Sequence, residues 1–115
     1  MAEIRLTPGV ATHEYNVQSW MDMKSGDVGA AFPAIDYNLA AFQLIGDVID
    51  VHVAVEGRLS GSAKFVTLED DDGFPTTLSQ HKITRISKLI VSEIRVTAGS
   101  GAGVAAFSVA AIFKR

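Results

Sequence analysis

The chain has 115 residues, 48% of them hydrophobic and 20% charged, which is the composition of one globular domain. Its net charge of −3 comes with no basic stripe to neutralise phosphates, which argues against a nucleic-acid partner. Cysteine is absent, so disulfides, thiolate metal sites and cysteine nucleophiles are excluded.

Residues 1–13 alternate polar and apolar positions and read as an N-terminal arm that packs on a neighbour. Residues 14–115 then form a single domain. The opening MAEIRLTPG has no apolar core of signal-peptide length. The longest apolar run, residues 102–113, is interrupted by Gly103 and Ser108 and is too short to span a bilayer. The protein is therefore expected to work without membrane insertion.

In HEYNVQSWMDM, Tyr15, Val17 and Ser19 alternate with Asn16, Gln18 and Trp20, the pattern of a strand. KSGDVGAAFPAIDYN is rich in turn residues and reads as a loop over one edge. NLAAFQLIGD allows a short helix, but Gly46 and the alternation of Phe42 with Leu44 favour a strand. In IDVHVAVEG, Ile49, Val51, Val53 and Val55 share one face of a half-buried strand. A glycine-bounded connection, GRLSG, leads to GSAKFVTLED. There Ala63 and Phe65 share one face, with Lys64, Val66 and Leu68 on the other, so this strand is expected to be covered on both sides.

HKITRISKLI is the best helix candidate. Ile83, Ile86 and Ile90 have helical spacing, with Lys82, Arg85 and Lys88 outside. It makes only about two turns, so a single helical turn or a bent strand fits equally. LIVSEIRVTAG is a strand with Ile90, Ser92, Ile94 and Val96 on one face. GSGAG is a hairpin turn, and the closing strand places Phe107, Val109, Ala111 and Phe113 together. Short strands at even spacing with glycine turns give an all-β fold. The expectation is an antiparallel β-sandwich, jelly-roll or immunoglobulin-like, with at most one short helical turn.

Signals for chemistry are sparse. His13, His52 and His81 lie in no nucleophile context, and there is no G-x-S-x-G, H-E-x-x-H, Walker or dinucleotide motif. GSGAG joins two strands, whereas a phosphate loop needs a helix N-terminus behind it. The run Glu69, Asp70, Asp71, Asp72 fails the helix–loop–helix calcium template, because position twelve from Asp70 is His81. It reads as a strand exit into a solvated loop turned by Gly73 and Pro75, with a looser calcium site at Asp70 and Asp72 as the alternative. Glu56 and Glu93 are either carboxylates facing a cleft or partners of Arg58 and Arg95. Trp20 is either core or, with Tyr37, a sugar-stacking platform. These signals point to no cofactor and no catalytic residue.

Four stretches carry a resemblance as an ordered set. They are SWMDMKSGDVGAAFP (residues 19–33), VHVAVEGRLSG (51–61), FVTLEDDDG (65–73) and VSEIRVTAGSGAGVAAFSV (91–109). Together they resemble small β-sandwich proteins that decorate or cement the capsids of tailed bacteriophages. At the family's E-G-S-x-D-G turn, Glu56, Gly57 and Gly61 match, while Arg58 and Ser60 depart. The resemblance implies a non-enzymatic virion protein, made in the host cytoplasm, that binds the major capsid protein and self-associates as a dimer or trimer. The alternatives are a tail or baseplate component and a carbohydrate-binding module. Candidate partner contacts are His52, Glu56, Arg58, Lys82, Arg85 and Lys88, with neither nucleic acid nor membrane as partner.

Overall fold

A computed structural model describes residues 2–99 and 106–115. The first half of the chain forms β1 (Glu3–Ile4), β2 (Leu6–Ala11), β3 (Tyr15–Met23), β4 (Val28–Gly29), β5 (Phe32–Pro33) and β6 (Leu39–Gly46). The second half forms β7 (Val53–Arg58), β8 (Val66–Thr67), β9 (Thr77–Leu78), β10 (Thr84–Ile86), β11 (Glu93–Ala98) and β12 (Phe107–Lys114). No helix occurs among the described residues.

Two sheets face each other. One runs β1-β4-β11-β7-β8, with β5 also pairing with β11 and β9 with β7. The other runs β10-β6-β12-β3-β2. All pairs are antiparallel except β1 with β4. This is the expected all-β sandwich.

Alternation drives the core. Phe107, Val109, Ala111 and Phe113 of β12 are buried, as are Ala40, Phe42 and Leu44 of β6. Val53 and Val55 of β7 meet them from the other sheet, with Ile94, Val96 and Ala98 of β11. Burying a side chain of this size is worth about 1.5–3 kcal/mol, so these inner faces hold the layers together. Phe32 stacks on Phe113 at 4.2 Å between centroids, joining the two sheets.

Trp20 makes the tightest fit. It is fully buried, and its indole N–H donates to the Ala30 carbonyl at 2.9 Å. A Cβ at Gly29 would stand 2.6 Å from Trp20 Cδ1 and 3.0 Å from Val96 Cγ2. Only a residue without a side chain lets β4 approach this ring. Trp20 and Met23 are both buried although three residues apart. A β-bulge makes this possible: Met23 pairs with Phe107 and Trp20 with Val109, so Met21 and Asp22 oppose Ser108 alone. Asp22 takes φ 56°, and its N–H donates to Ser108 Oγ.

Several expectations are corrected. Residues 1–13 are not an arm free of the domain. Glu3–Ile4 pairs with Val28–Gly29 in one sheet, and Leu6–Ala11 pairs with β3 in the other. Asp27 Oδ1 accepts the Ala2 N–H, which ties this strap to the turn before β4. The stretch 24–38 is not wholly loop, since it contributes β4 and β5 along β11. The strand around Val53 begins late: Asp50 has φ 56° and Ile49 is exposed. GSAKFVTLED supplies only the short edge strand β8, and its Val66 is exposed rather than covered. HKITRISKLI resolves to strand β10, with Ile86 buried and Ile83 and Ile90 in solvent. The GSGAG turn lies outside the described residues beyond Gly99.

Two substitutions test this packing. Gly29→Ala should cost about 1–3 kcal/mol through overpacking against Trp20, read as a lower Tm. Thr76 is fully buried and its Oγ1 has no protein partner. Thr76→Val should therefore raise stability by about 1 kcal/mol in chemical denaturation, since an orphan hydroxyl is replaced by a methyl of similar shape.

Candidate functional surfaces

The expected partner-contact residues fall into three separate settings. Glu56 and Arg58 lie on the outer face of β7, directly opposite Arg95 and Glu93 of β11. Arg58 pairs with Glu93 at 2.7 Å and Arg95 with Glu56 at 3.0 Å. The Phe65 ring lies beneath both guanidinium groups, 4.5 Å from Arg58 and 4.0 Å from Arg95. Each charge is thus answered within the chain. This cross-strand arrangement favours the ion-pair reading of Glu56 and Glu93 over the cleft reading.

Lys82, Arg85 and Lys88 are exposed around β10, beside the acidic loop. Shallow depressions of about 290 Å³ and 300 Å³ lie between Asp70–Asp72 and this basic segment. Two of the acidic carboxylates, Asp70 and Asp71, are held by hydrogen bonds within the chain. Asp70 Oδ1 accepts the N–H groups of Asp72 and Phe74. Asp71 accepts the Ser87 N–H at 2.7 Å and the Ser87 hydroxyl at 2.6 Å. The two Ser87 hydrogen bonds, with a smaller attraction from Arg85, hold the Asp71 carboxyl below its usual range. The loop therefore faces a basic patch of its own chain. Among the described residues no three His, Asp or Glu side chains converge to hold a metal ion.

His52 is exposed just before β7, and its carbonyl accepts the Gly99 N–H. His81 Nε2 lies 2.7 Å from the Gly46 carbonyl oxygen, and His13 is exposed in the turn after β2. The three histidines share no site. The sugar-platform residues are unsuited to stacking. Trp20 is buried, and Tyr37 is 8% exposed beneath the Arg115 guanidinium, 4.9 Å from its ring.

Two exposed apolar surfaces were not singled out from sequence. The first is the outer face of the five-stranded sheet. Cross-strand rows there read Val17–Ile112–Ala41 and Ser19–Ala110–Gln43. Ile83 projects beside them, and together they frame a shallow groove of about 290 Å³. The second is a loop end. Ser92 accepts the Ala34 N–H with its carbonyl and the Ser60 N–H with its hydroxyl, and donates its N–H to Arg58. Ile35, Leu59 and Ile90 each lie within two residues of this node, and are 71%, 63% and 84% exposed. The isoleucine spacing in HKITRISKLI was the available signal, but it reads equally as a buried helix face.

Solved structures share the fold. The SPBc2 prophage-derived protein YomS superimposes with a TM-score of 0.64 at 10% identity, over 93% of this chain and all of that one. A cupin domain from Bordetella pertussis superimposes at 0.53 and 10% identity, over all of this chain and 98% of that one. The fold is a cupin-like jelly roll. A xylan-binding module, CBM86 from Roseburia intestinalis, reaches only 0.41 at 12% identity, too little to bear on this chain. No family model matches the sequence, and no curated protein matches it. The cupin-like sandwich thus presents paired charge on one outer face, half-buried apolar rows on the central strands of the other, and exposed apolar side chains at one end.

The Asp71–Ser87 clasp makes a pH prediction. A carboxylate whose folded pKa is depressed stabilises the fold above its unfolded value, and that contribution is lost as pH falls through the folded value. The Asp71 carboxyl should titrate below 3.8 in an NMR titration. The Ser87 amide should lose protection from exchange over the same acid range. Asp71→Asn should weaken that protection already at neutral pH.

Proposed function

We propose that the protein is a non-enzymatic structural component of a bacteriophage virion, a capsid decoration protein that binds the major capsid protein and stabilises the shell. One observation carries this reading: the small sandwich presents apolar residues at two separate places, the sheet face and the Ser92 loop end. A module that cements a lattice must touch at least two neighbours, and contiguous exposed apolar area marks protein contacts. The likeness to a prophage-derived protein and the ordered sequence resemblance support the same reading. Binding only the assembled shell stabilises it by mass action, and many copies multiply a modest contact. In this reading the protein is made in the host cytoplasm and resides on the capsid surface. The loop end, with Leu59 and Ile90, meets the major capsid protein.

The test is co-sedimentation with expanded capsids and with isolated tails. The expected result is binding to capsids and not to tails, with binding lost in the double variant Leu59→Asp and Ile90→Asp. Both positions are exposed, so the variant should keep its Tm. Failure of the parent protein to bind expanded capsids at any salt overturns the reading, and binding to tails instead assigns it to the tail.

A further inference from the structure

The outer face of the five-stranded sheet is unusual for a solvent-facing surface. Strand β12 lies at its centre, flanked by β3 and β6. Its outward residues are Ser108, Ala110, Ile112 and Lys114, since Phe107, Val109, Ala111 and Phe113 point inward. On β6 the outward residues are Leu39, Ala41, Gln43 and Ile45, and on β3 they include Tyr15, Val17 and Ser19. Among these positions on the three central strands only Lys114, at a strand end, carries charge; at the edge Arg85 of β10 faces the same way, opposite Ala41. A solvated antiparallel face ordinarily alternates to polar and charged residues, as the opposite sheet does with Glu56, Arg58, Glu93 and Arg95. Charge depletion over a central area is the composition of an interface core.

The relief of the face suits a copy of itself. Its floor is low where Ala41 and Ala110 lie, because each offers only a methyl group. Its rim is high at Ile83, which is 64% exposed, and at Ile45, which is 50% exposed. The same surface therefore carries both a ridge and the groove that receives one. A two-fold axis brings ridge to groove twice over, the condition for an isologous contact. Sheets pack face to face at about 10 Å, and small residues on the floor permit that approach.

The size is adequate. Strands of nine, eight, eight, six and three residues, at about 4.8 Å spacing and about 3.4 Å rise, project about 550 Å², so two copies would bury about 1,100 Å², just above the roughly 1,000 Å² that a biological interface clears. A corrugated surface exposes more than its projection, and a standard interface buries about 800 Å² per partner. The open edges add little to pair with. β2 carries Pro8, which has no N–H to donate, and β10 is three residues long beside Lys82. Face-to-face packing is thus favoured over edge-to-edge pairing.

We infer that the outer face of the five-stranded sheet is a dimer interface, in which a second copy of this chain packs face to face and Ile83 of each copy enters the Ala41–Ala110 groove of the other. This deepens the virion reading by assigning the sheet face to self-association and leaving the loop end for the capsid. The contact is apolar and should resist salt screening.

Sedimentation equilibrium of the full chain tests it. The expected mass is twice the 12.2 kDa of the chain, at concentrations up to about 100 µM, above the weak limit for a standard interface. The dimer should persist in about 1 M salt. Ile83→Lys, at an exposed position, and Ala110→Arg should each return the mass to that of one chain with an unchanged circular dichroism spectrum. If Ala110→Arg misfolds, Ile83→Lys carries the test. A parent protein that stays at one chain mass overturns the inference, as does a dimer that neither substitution dissociates. A single-chain mass that rises only when capsid protein is added assigns the face to that partner and likewise overturns it. Capsid co-sedimentation keeps the two readings apart. A dimer that ignores capsids removes the virion role and leaves the interface. A monomer that binds them does the reverse.

Discussion

The Trp20 indole lies where the two sheets meet, and its position depends on the bare backbone of Gly29 beneath it. Much of the architecture follows from that fit. For Trp20 and Met23 both to point inward, β3 must carry an extra residue, and the bulge at Met21 and Asp22 supplies it. For Gly29 to reach the ring, the turn before it must be held. Asp27 does this by accepting the Lys24 N–H with one oxygen and the Ala2 N–H with the other. The N-terminal strap then follows β4 as a parallel partner, and crosses to the other sheet as β2. One tryptophan thus links a bulge, a buried aspartate and the first strands.

The two sheets share a rule inside and differ outside. Both bury alternate residues, and both inner faces are aliphatic and aromatic. On the seven-stranded sheet the outer positions of β7 and β11 form a cross-strand ladder of paired charges above Phe65. That face is complete in itself, because each carboxylate already has its guanidinium. On the five-stranded sheet the corresponding positions of the central strands are mostly aliphatic or uncharged polar residues, with Lys114 at a strand end and Arg85 on the edge strand. The acidic loop follows the logic of the charged face. Asp70 Oδ1 accepts backbone N–H groups of its own loop, and Asp71 accepts from Ser87, which braces the loop against the basic β10 segment.

The long central strands were legible in the sequence because their alternation is uninterrupted. Phe107 to Phe113, Phe42 with Leu44, and Val53 with Val55 are buried as their period of two requires. The misreadings cluster at strand ends and edges. Ile49 continues the valine alternation on paper, yet the backbone turns at Asp50 and leaves it in solvent. Val66 looks like part of a strand covered on both sides, but β8 is an edge of two residues; Leu68 just beyond it does pack against the core. Ile83, Ile86 and Ile90 suggested a helical stripe, and of the three only Ile86 faces the core. In each case a local pattern was sound and its neighbours were elsewhere in the chain.

The sequence by itself determined the all-β class, the inward residues of the central strands, the core role of Trp20 and the solvated character of the acidic run. These are local matters: side-chain alternation, turn residues and the repulsion of like charges act within a few positions. Only the tertiary structure decided that Glu3–Ile4 and Leu6–Ala11 join one sheet each, that Glu56 and Arg58 are answered by Arg95 and Glu93, and that Val17, Ala41, Ala110 and Ile112 share an outer face. Those outcomes depend on register between strands dozens of residues apart. A shift of one residue in a strand exchanges its faces, so the alternation says which residues go together but not which neighbours they meet.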